Sequence, residues 1–83
     1  MKYEQVEKRI YEIIFRNTGI KIQNSLCTFK DMGINSLEYI RILVCIEEQY
    51  GIDFTYEYYE NFIDKNLKML IEFIYEQKFV KEG

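Results

Sequence analysis

The sequence predicts an all-α protein: a four-helix bundle of three main helices and one short helix, with a long first loop. Apolar residues recur at the three- and four-residue spacing of a helix in three separate segments, and no segment alternates like a half-buried strand. The chain has no proline, and glycines separate these segments. With 83 residues there is room for one domain, which we expect to span residues 1–83.

The first helix is predicted from about Tyr3 to Arg16. Its apolar residues form one stripe at helical spacing: Tyr3, Val6, Ile10, Ile13 and Ile14. The sequence Asn17-Thr18-Gly19 follows as a stop signal, because glycine readily takes the left-handed conformation that ends many helices.

Residues 20–35 show no sustained period and predict a long loop. We expect its scattered apolar residues to anchor it to the core: Ile20, Ile22, Leu26, Phe29, Met32 and Ile34. A loop of this length is uncommon in so small a domain, and such loops often carry function.

The second helix is predicted to start at Asn35 or Ser36 and to end near Gly51. Either residue can cap the helix, and Asn35 with Glu38 has the spacing of a capping box. At about 100° per residue, one arc of this helix contains a set of apolar residues that we expect to face the core. These residues are Tyr39, Ile42, Leu43, Ile46 and Tyr50.

A second apolar stripe lies on nearly the opposite side of this helix and contains Leu37, Ile40 and Val44. It runs beside three charged residues: Arg41, Glu47 and Glu48. A helix in a small domain has one face to bury, so an apolar stripe rimmed by charge is typical of a surface that binds a partner. The alternative is that these are ordinary surface apolar residues, which are common.

Two further helices are predicted in the C-terminal third. A short helix is expected from Tyr56 to Ile63, with Tyr59, Phe62 and Ile63 turned inward. The last helix is expected from about Leu67 to Gln77, and its apolar stripe contains Leu67, Leu70, Ile71 and Ile74. Its N-terminal cap is Asn66 or Asp64.

Composition excludes several classes of function. Lys and Arg number 11 against 14 Asp and Glu, a net charge of -3, which argues against general nucleic-acid binding. The apolar run at residues 42–46 is far shorter than the roughly 20 residues of a membrane span. The N-terminus lacks the apolar stretch of a signal peptide, so we expect a cytoplasmic protein without membrane attachment.

The absence of histidine removes the commonest general base and metal ligand. The spacing of Cys27 and Cys45 fits neither a disulfide framework nor a zinc site, so we expect free thiols and no metal. A small chain without these groups is not expected to be an enzyme. A binding, scaffold or carrier role remains.

The stretch from Asp31 to Leu37 places a lone serine, Ser36, at the start of an amphipathic helix, directly after a turn that contains Gly33. There the hydroxyl would project from the surface at the positive end of the helix dipole, which favours a phosphate ester. No base or acid partner for this serine is visible, so it resembles a nucleophile that another enzyme uses once. The alternative is that Ser36 is only the cap of the helix.

These residues resemble the acyl and peptidyl carrier protein family. Gly33-Ile34-Asn35-Ser36-Leu37 is similar to the family's G-x-D-S-L, and the apolar and acidic pattern of the second helix continues the likeness to Phe54. The likeness covers the whole length, because the serine lies near mid-chain and Leu67 to Ile74 matches the family's last helix.

The resemblance implies a non-catalytic carrier. A phosphopantetheinyl transferase, using Mg²⁺ at its own site, would attach 4′-phosphopantetheine from coenzyme A to Ser36 through a phosphodiester, which makes the chain a phosphoprotein. The thiol of the arm would hold an acyl or aminoacyl group as a thioester and present it to loading and processing enzymes. The resemblance places the docking face on the second helix, at Leu37, Ile40, Arg41, Val44, Glu47 and Glu48. Four aromatic residues either line a groove for the acyl group or pack in the core: Tyr56, Tyr58, Tyr59 and Phe62.

Three departures from the family pattern predict a specialised carrier. Asn35 replaces the usual Asp, Arg41 stands in a face that is usually acidic, and Thr55 lies near the place of a frequent proline. Peptidyl carriers often have two glycines in the turn, whereas Ile34 follows Gly33 here, which favours an acyl carrier of fatty-acid or polyketide type. An aminoacyl or peptidyl carrier of a nonribosomal pathway and an unmodified helical adaptor are the alternatives. We expect a free-standing monomer.

Overall fold

In the part of the chain that the structure describes, four α-helices follow one another, with a long loop between the first two. A computed structural model describes residues 2–61 and 64–80, without the side chains of Tyr58 and Asn61. The helices are α1 (Lys2–Thr18), α2 (Ser36–Tyr50), α3 (Tyr56–Asn61) and α4 (Leu67–Tyr75). The predicted all-α architecture of three main helices and one short helix is confirmed.

Helix α1 buries the predicted stripe. Val6, Ile10, Ile13 and Ile14 are at most 5% exposed, and the half-buried Tyr3 meets Tyr75 edge to face at 5.5 Å between ring centroids. The helix continues to Thr18, two residues beyond the prediction. The hydroxyl of Thr18 donates to the carbonyl of Ile14 at 2.7 Å, and Gly19 then ends the helix with a φ of 77°.

The long loop is anchored mainly by two buried side chains, Phe29 and Ile34. Ile20, Ile22 and Met32 are partly buried and pack against the same core. The prediction that Leu26 is an anchor is wrong, because this side chain is 66% exposed. The backbone N–H of Leu26 donates to Asn24 Oδ1 at 2.9 Å, which holds Leu26 in a tight turn with its side chain outward.

The loop also satisfies the first N–H groups of α4. Leu67 N donates to the carbonyl of Cys27 at 3.0 Å, and Lys68 N donates to the carbonyl of Ser25 at 2.7 Å. Of the two predicted caps, Asn66 is the one used: its Oδ1 accepts from Met69 N at 3.1 Å. The start of α4 is therefore fixed to the loop that leads to α2.

The end of the chain differs from the prediction. The α-helix stops at Tyr75, two residues before the predicted Gln77, and the chain continues as a π-helical turn, Glu76–Val80. This wider turn places the ring of Phe79 at 5.8 Å from that of Tyr75 and under the Lys2 ammonium, at 5.2 Å. The predicted inward positions Phe62 and Ile63 lie outside the described residues.

The core is formed by the inward faces of the three long helices. Leu67, Leu70, Ile71 and Ile74 of α4 are fully buried and pack with the stripes of α1 and α2. Phe54, in the link between α2 and α3, is 7% exposed and stacks on Phe73 at 5.5 Å. In residues 2–61 and 64–80, no helix is long and apolar enough to cross a bilayer.

Candidate functional site

Ser36 is the first residue of α2 and is exposed to solvent. Its neighbour Asn35 is the cap of the helix: Asn35 Oδ1 accepts from Glu38 N at 2.8 Å, and Asn35 N donates to Glu38 Oε1 at 3.1 Å. The predicted capping box is confirmed, and the interpretation of Ser36 as the cap is wrong. Because the asparagine and the glutamate satisfy the helix end between them, the serine hydroxyl is not used to hold the structure.

The turn before the serine is held by backbone hydrogen bonds and by a ring contact with α2. Ile34 N donates to the carbonyl of Phe29 at 3.1 Å, and Gly33 N donates to that of Lys30 at 3.0 Å. Gly33 has a φ of 78°, a conformation that a side chain would strain. Phe29 in turn meets Tyr39 of α2 edge to face, with ring centroids 5.0 Å apart. The position of Ser36 is therefore set by packing on each side of it.

The surroundings of the serine fit a phosphate ester and an arm attached to it. An open surface depression of about 520 Å³ lies beside the hydroxyl and is lined by Lys30, Gly33, Ile34, Asn35, Ser36 and Asp64. The dipole of α2 favours a negative group at this end of the helix. Of the two charged residues that line the depression, Lys30 is positive and Asp64 is negative. The N-terminus of α2 and the ammonium of Lys30 therefore suit a phosphodiester on Ser36, whereas the carboxylate of Asp64 opposes it.

Within the described ranges, no side chain makes a hydrogen bond to Ser36 that could activate it as a nucleophile. The same part of the chain contains no group of three or more Cys, Asp or Glu residues placed to hold a metal ion. The geometry makes the hydroxyl available to an external enzyme.

Helix α2 separates its two apolar stripes as predicted. Tyr39, Ile42, Leu43 and Ile46 face the core at 1% exposure or less, and Tyr50 is partly buried. Leu37 is 58% exposed, Ile40 is 43% exposed and Val44 is 41% exposed. Arg41 and Glu48 are also exposed. The outward stripe therefore begins directly beside Ser36 and continues along the helix.

Glu47 differs from its predicted neighbours on this surface. It is half-buried, and its carboxylate accepts from Phe54 N at 2.7 Å and from the hydroxyl of Tyr59 at 2.9 Å. Periodicity places Glu47 near the charged rim, but its two donors lie 7 and 12 residues further along the chain. No local sequence signal identifies this contact.

Of the predicted aromatic group, Tyr56 and Tyr59 have described side chains, and these two lie in different environments. Tyr59 is partly buried and meets Phe54 edge to face at 6.3 Å between ring centroids. Tyr56 is 76% exposed, so it belongs neither to the core nor to an enclosed groove. The Tyr58 side chain and Phe62 lie outside the described part of the structure.

The two cysteines lie apart from this site. Both are free thiols and both are half-buried. Cys45, on the flank of α2, has a sulfur that accepts from Asn17 Nδ2 at 3.6 Å. It contributes to the packing of α2 against α1.

The chain matches a protein family described as a phosphopantetheine attachment site, over residues 8–61. It is 31% identical over 61 residues to an acyl carrier protein of Buchnera aphidicola subsp. Baizongia pistaciae (strain Bp), covering 70% of this chain and 78% of the relative. It is 33% identical over 55 residues to an acyl carrier protein of Rickettsia bellii (strain OSU 85-389), covering 63% of this chain and 68% of that protein.

The fold has a solved counterpart. A crystal structure of an acyl carrier protein from Thermotoga maritima superposes with a TM-score of 0.80 at 19% identity, covering 100% of this chain and 96% of that one. The family match and the sequence relatives establish that the chain belongs to the acyl carrier protein family. Members of this family carry a covalently attached 4′-phosphopantetheine and interact with phosphopantetheinyl transferases and acyl-processing enzymes.

Proposed function

We propose that the chain is a non-catalytic carrier that holds acyl intermediates as thioesters on a 4′-phosphopantetheine arm attached to Ser36. It delivers them to partner enzymes of a fatty-acid, polyketide or other specialised biosynthetic pathway. The observation that carries this proposal is the division of roles between two adjacent residues: Asn35 caps α2, and Ser36 is left exposed. Function in the cytoplasm as a monomer is part of the same proposal.

For attachment of the phosphopantetheine arm, the chain supplies the hydroxyl of Ser36 and the N-terminal turn of α2. The Ser36 oxygen forms a bond to the phosphorus of the phosphopantetheine group while the pyrophosphate P–O bond of coenzyme A breaks. Adenosine 3′,5′-bisphosphate leaves, and the transferase takes up the serine proton. The N-terminal turn of α2 then faces the ester and favours its negative charge. When attached, the arm supplies a terminal thiol that holds the cargo as a thioester.

The outward stripe of α2 supports a docking role. Leu37, Ile40 and Val44 keep between 41% and 58% of their surface exposed, and a partner that covered them would gain hydrophobic free energy. Arg41 and Glu48 flank them with charges of both signs, which would orient a partner and select against poorly matched ones. The stripe adjoins Ser36, so an enzyme seated on it would have the arm within reach.

Intact-protein mass spectrometry tests the attachment. The purified chain is incubated with coenzyme A, Mg²⁺ and a promiscuous phosphopantetheinyl transferase. We expect the wild type to gain the mass of one phosphopantetheine and Ser36→Ala to gain nothing. Ser25 is the only other serine, so Ser25→Ala is the matched control and should gain the same mass as the wild type. Loading of Ser36→Ala would overturn the assignment.

A failure to load would have two explanations that a second variant separates. Asn35 replaces the acidic residue that the family pattern has before the serine, and a transferase that needs this charge would reject the chain. Asn35→Asp restores the charge and keeps a good helix cap. If only Asn35→Asp were loaded, the proposal of a carrier would stand. If neither protein were loaded, the result would favour an unmodified helical adaptor.

The class of cargo is tested on the loaded chain. The loaded protein is offered to an acyl-transferring enzyme and, separately, to an aminoacyl-adenylating enzyme, and the mass of the resulting thioester is measured. We expect the acyl group to be accepted, because Ile34 occupies the place where peptidyl carriers often have a second glycine. Exclusive aminoacyl loading would move the chain to a nonribosomal peptide pathway.

A further inference from the structure

Glu47 connects three parts of the chain. It lies on α2, its Oε2 accepts from the backbone N–H of Phe54 in the following link, and its Oε1 accepts from the hydroxyl of Tyr59 on α3. At 2.7 and 2.9 Å, both are short bonds to a carboxylate. Bonds of this kind are stronger than those between neutral groups. Both carboxylate oxygens are thus engaged within the chain.

Aromatic contacts extend this connection to α4. Tyr59 meets Phe54 edge to face at 6.3 Å, and Phe54 stacks on Phe73 of α4 at 5.5 Å with a 29° angle between the rings. Phe54 is 7% exposed. Glu47 therefore makes the hydrogen bonds to Phe54 and Tyr59, while the ring of Phe54 packs in the core.

The charges around Tyr59 fit its role as the donor. Burial, the hydrogen bond to Glu47 and the negative charges of Glu47 and Asp53 raise the pKa of Tyr59 above its ordinary value. Tyr39 on the inward face of α2 also interacts with it electrostatically. Tyr59 therefore keeps its proton and remains a donor to the carboxylate over the whole neutral range.

We propose that Glu47 is a positioning residue, whose carboxylate holds the link and α3 against α2 instead of contacting partner enzymes. The exposed Glu48, one residue further along, then carries the negative charge available to a partner on this part of α2. This inference goes beyond the proposed carrier function. Its structural readouts do not depend on whether Ser36 is modified.

Hydrogen exchange of the full chain tests the contact. In Glu47→Ala both bonds are lost, and we expect the Phe54 amide to exchange about tenfold faster or more, because it loses a hydrogen bond to a charged group. Tyr59→Phe removes one of the two bonds and no charge, and we expect faster exchange of the α3 amides. Glu48→Ala is the matched control and should leave both regions unchanged. Unchanged exchange at Phe54 in Glu47→Ala would overturn the proposal.

Titration of Tyr59 gives a readout that loss of stability alone would not move. In a chain with ¹³C-labelled tyrosine, we expect Glu47→Gln to lower the pKa of Tyr59 towards its ordinary value, because the negative charge is removed. Glu48→Gln removes the same charge from the next residue and should not change this titration. An equal shift in both variants would show a general effect of net charge and would contradict a specific contact.

Loading kinetics separate positioning from docking once loading of the wild type has been observed. Glu47→Gln keeps the size of the side chain and an acceptor for Phe54 N, so a positioning residue would be largely rescued by glutamine. We expect the KM of the transferase to rise more for Glu47→Ala than for Glu47→Gln, and Tyr59→Phe to raise it without any change of charge. Equal increases for alanine and glutamine with no effect of Tyr59→Phe would make Glu47 a docking charge.

Discussion

The two faces of α2 carry similar apolar residues in different environments. Ile42, Leu43 and Ile46 face the core at 0% exposure, whereas Leu37, Ile40 and Val44 face outward and are 41–58% exposed. Each inward residue contributes about 1.5–3 kcal/mol through burial, and the outward residues gain this only when a partner covers them. The position of an apolar residue on the helix, and not its type, therefore decides whether it contributes to the stability of the fold.

The largest expected effect comes from one substitution made on each face. Ile46→Arg places a charge without a partner in the core and should destabilise the fold by more than about 4 kcal/mol, enough to unfold the domain. Val44→Arg can extend its guanidinium into water and should change the free energy of unfolding by about 0.5 kcal/mol or less. Melting curves followed by circular dichroism compare the two. The reverse order of stability would show that the faces are wrongly assigned.

Alkaline pH should lower the free energy of unfolding, because the inward face of α2 carries the buried Tyr39. Burial, and then the charge of Tyr59, raises the pKa of Tyr39. Burial and a hydrogen bond to Glu7 raise the pKa of Tyr11 on α1 to about 12. In the unfolded chain both tyrosines have the ordinary tyrosine pKa of about 10 and lose their protons near that pH. In the folded chain they lose them only at higher pH. The stabilisation is therefore complete below about pH 10 and falls as the pH rises through the folded pKa values.

Urea unfolding at several pH values between about 8 and 12 measures this loss. We expect the urea midpoint of the wild type to fall above about pH 10, and the midpoint of Tyr39→Phe to fall less, because one titrating group has been removed from the core. Val44→Phe, which adds an aromatic ring to the outward face without a hydroxyl, is the control and should follow the wild type. An identical fall in wild type and Tyr39→Phe would mean that Tyr39 does not contribute.

A smaller effect is expected where the two faces begin, at the N-terminus of α2. Asn35→Ala removes the cap and should destabilise the fold by about 1 kcal/mol, within a usual range of about 0.5–2 kcal/mol. Ser36→Ala should change the free energy of unfolding by about 0.5 kcal/mol or less, because its hydroxyl holds nothing in place. Denaturant titrations of the unmodified proteins measure both. A larger loss for Ser36→Ala would show that the serine is the cap in solution.

Much of the fold could be predicted because it depends on local periodicity. The inward stripes of α1, α2 and α4 follow from residue spacing, and the predicted end of α2 near Gly51 is confirmed. Either Asn35 or Ser36 could cap the helix by residue type, and the capping-box spacing of Asn35 to Glu38 was the signal for the residue that the structure uses.

The rest of the site depends on contacts between residues distant in sequence. The bonds of Glu47 to Phe54 and Tyr59 cross the link between α2 and α3. Helical spacing carries no information about such contacts, because it describes one element at a time. The docking roles of the residues on the outward stripe and its charged rim stay predictions.

The smallest expected effect tests the charged rim of the outward face. Glu48→Ala removes an exposed charge, so the free energy of unfolding should change by about 0.5 kcal/mol or less. If Glu48 orients a partner, the KM of the transferase should change at low ionic strength, and this change should shrink at about 1 M salt, where charges are screened within about 3 Å. Glu12→Ala removes the same charge from the exposed surface of α1 and is the matched control. Equal changes of KM in both variants would mean that the enzyme responds to the net charge of the carrier, and docking would then depend on Leu37, Ile40 and Val44.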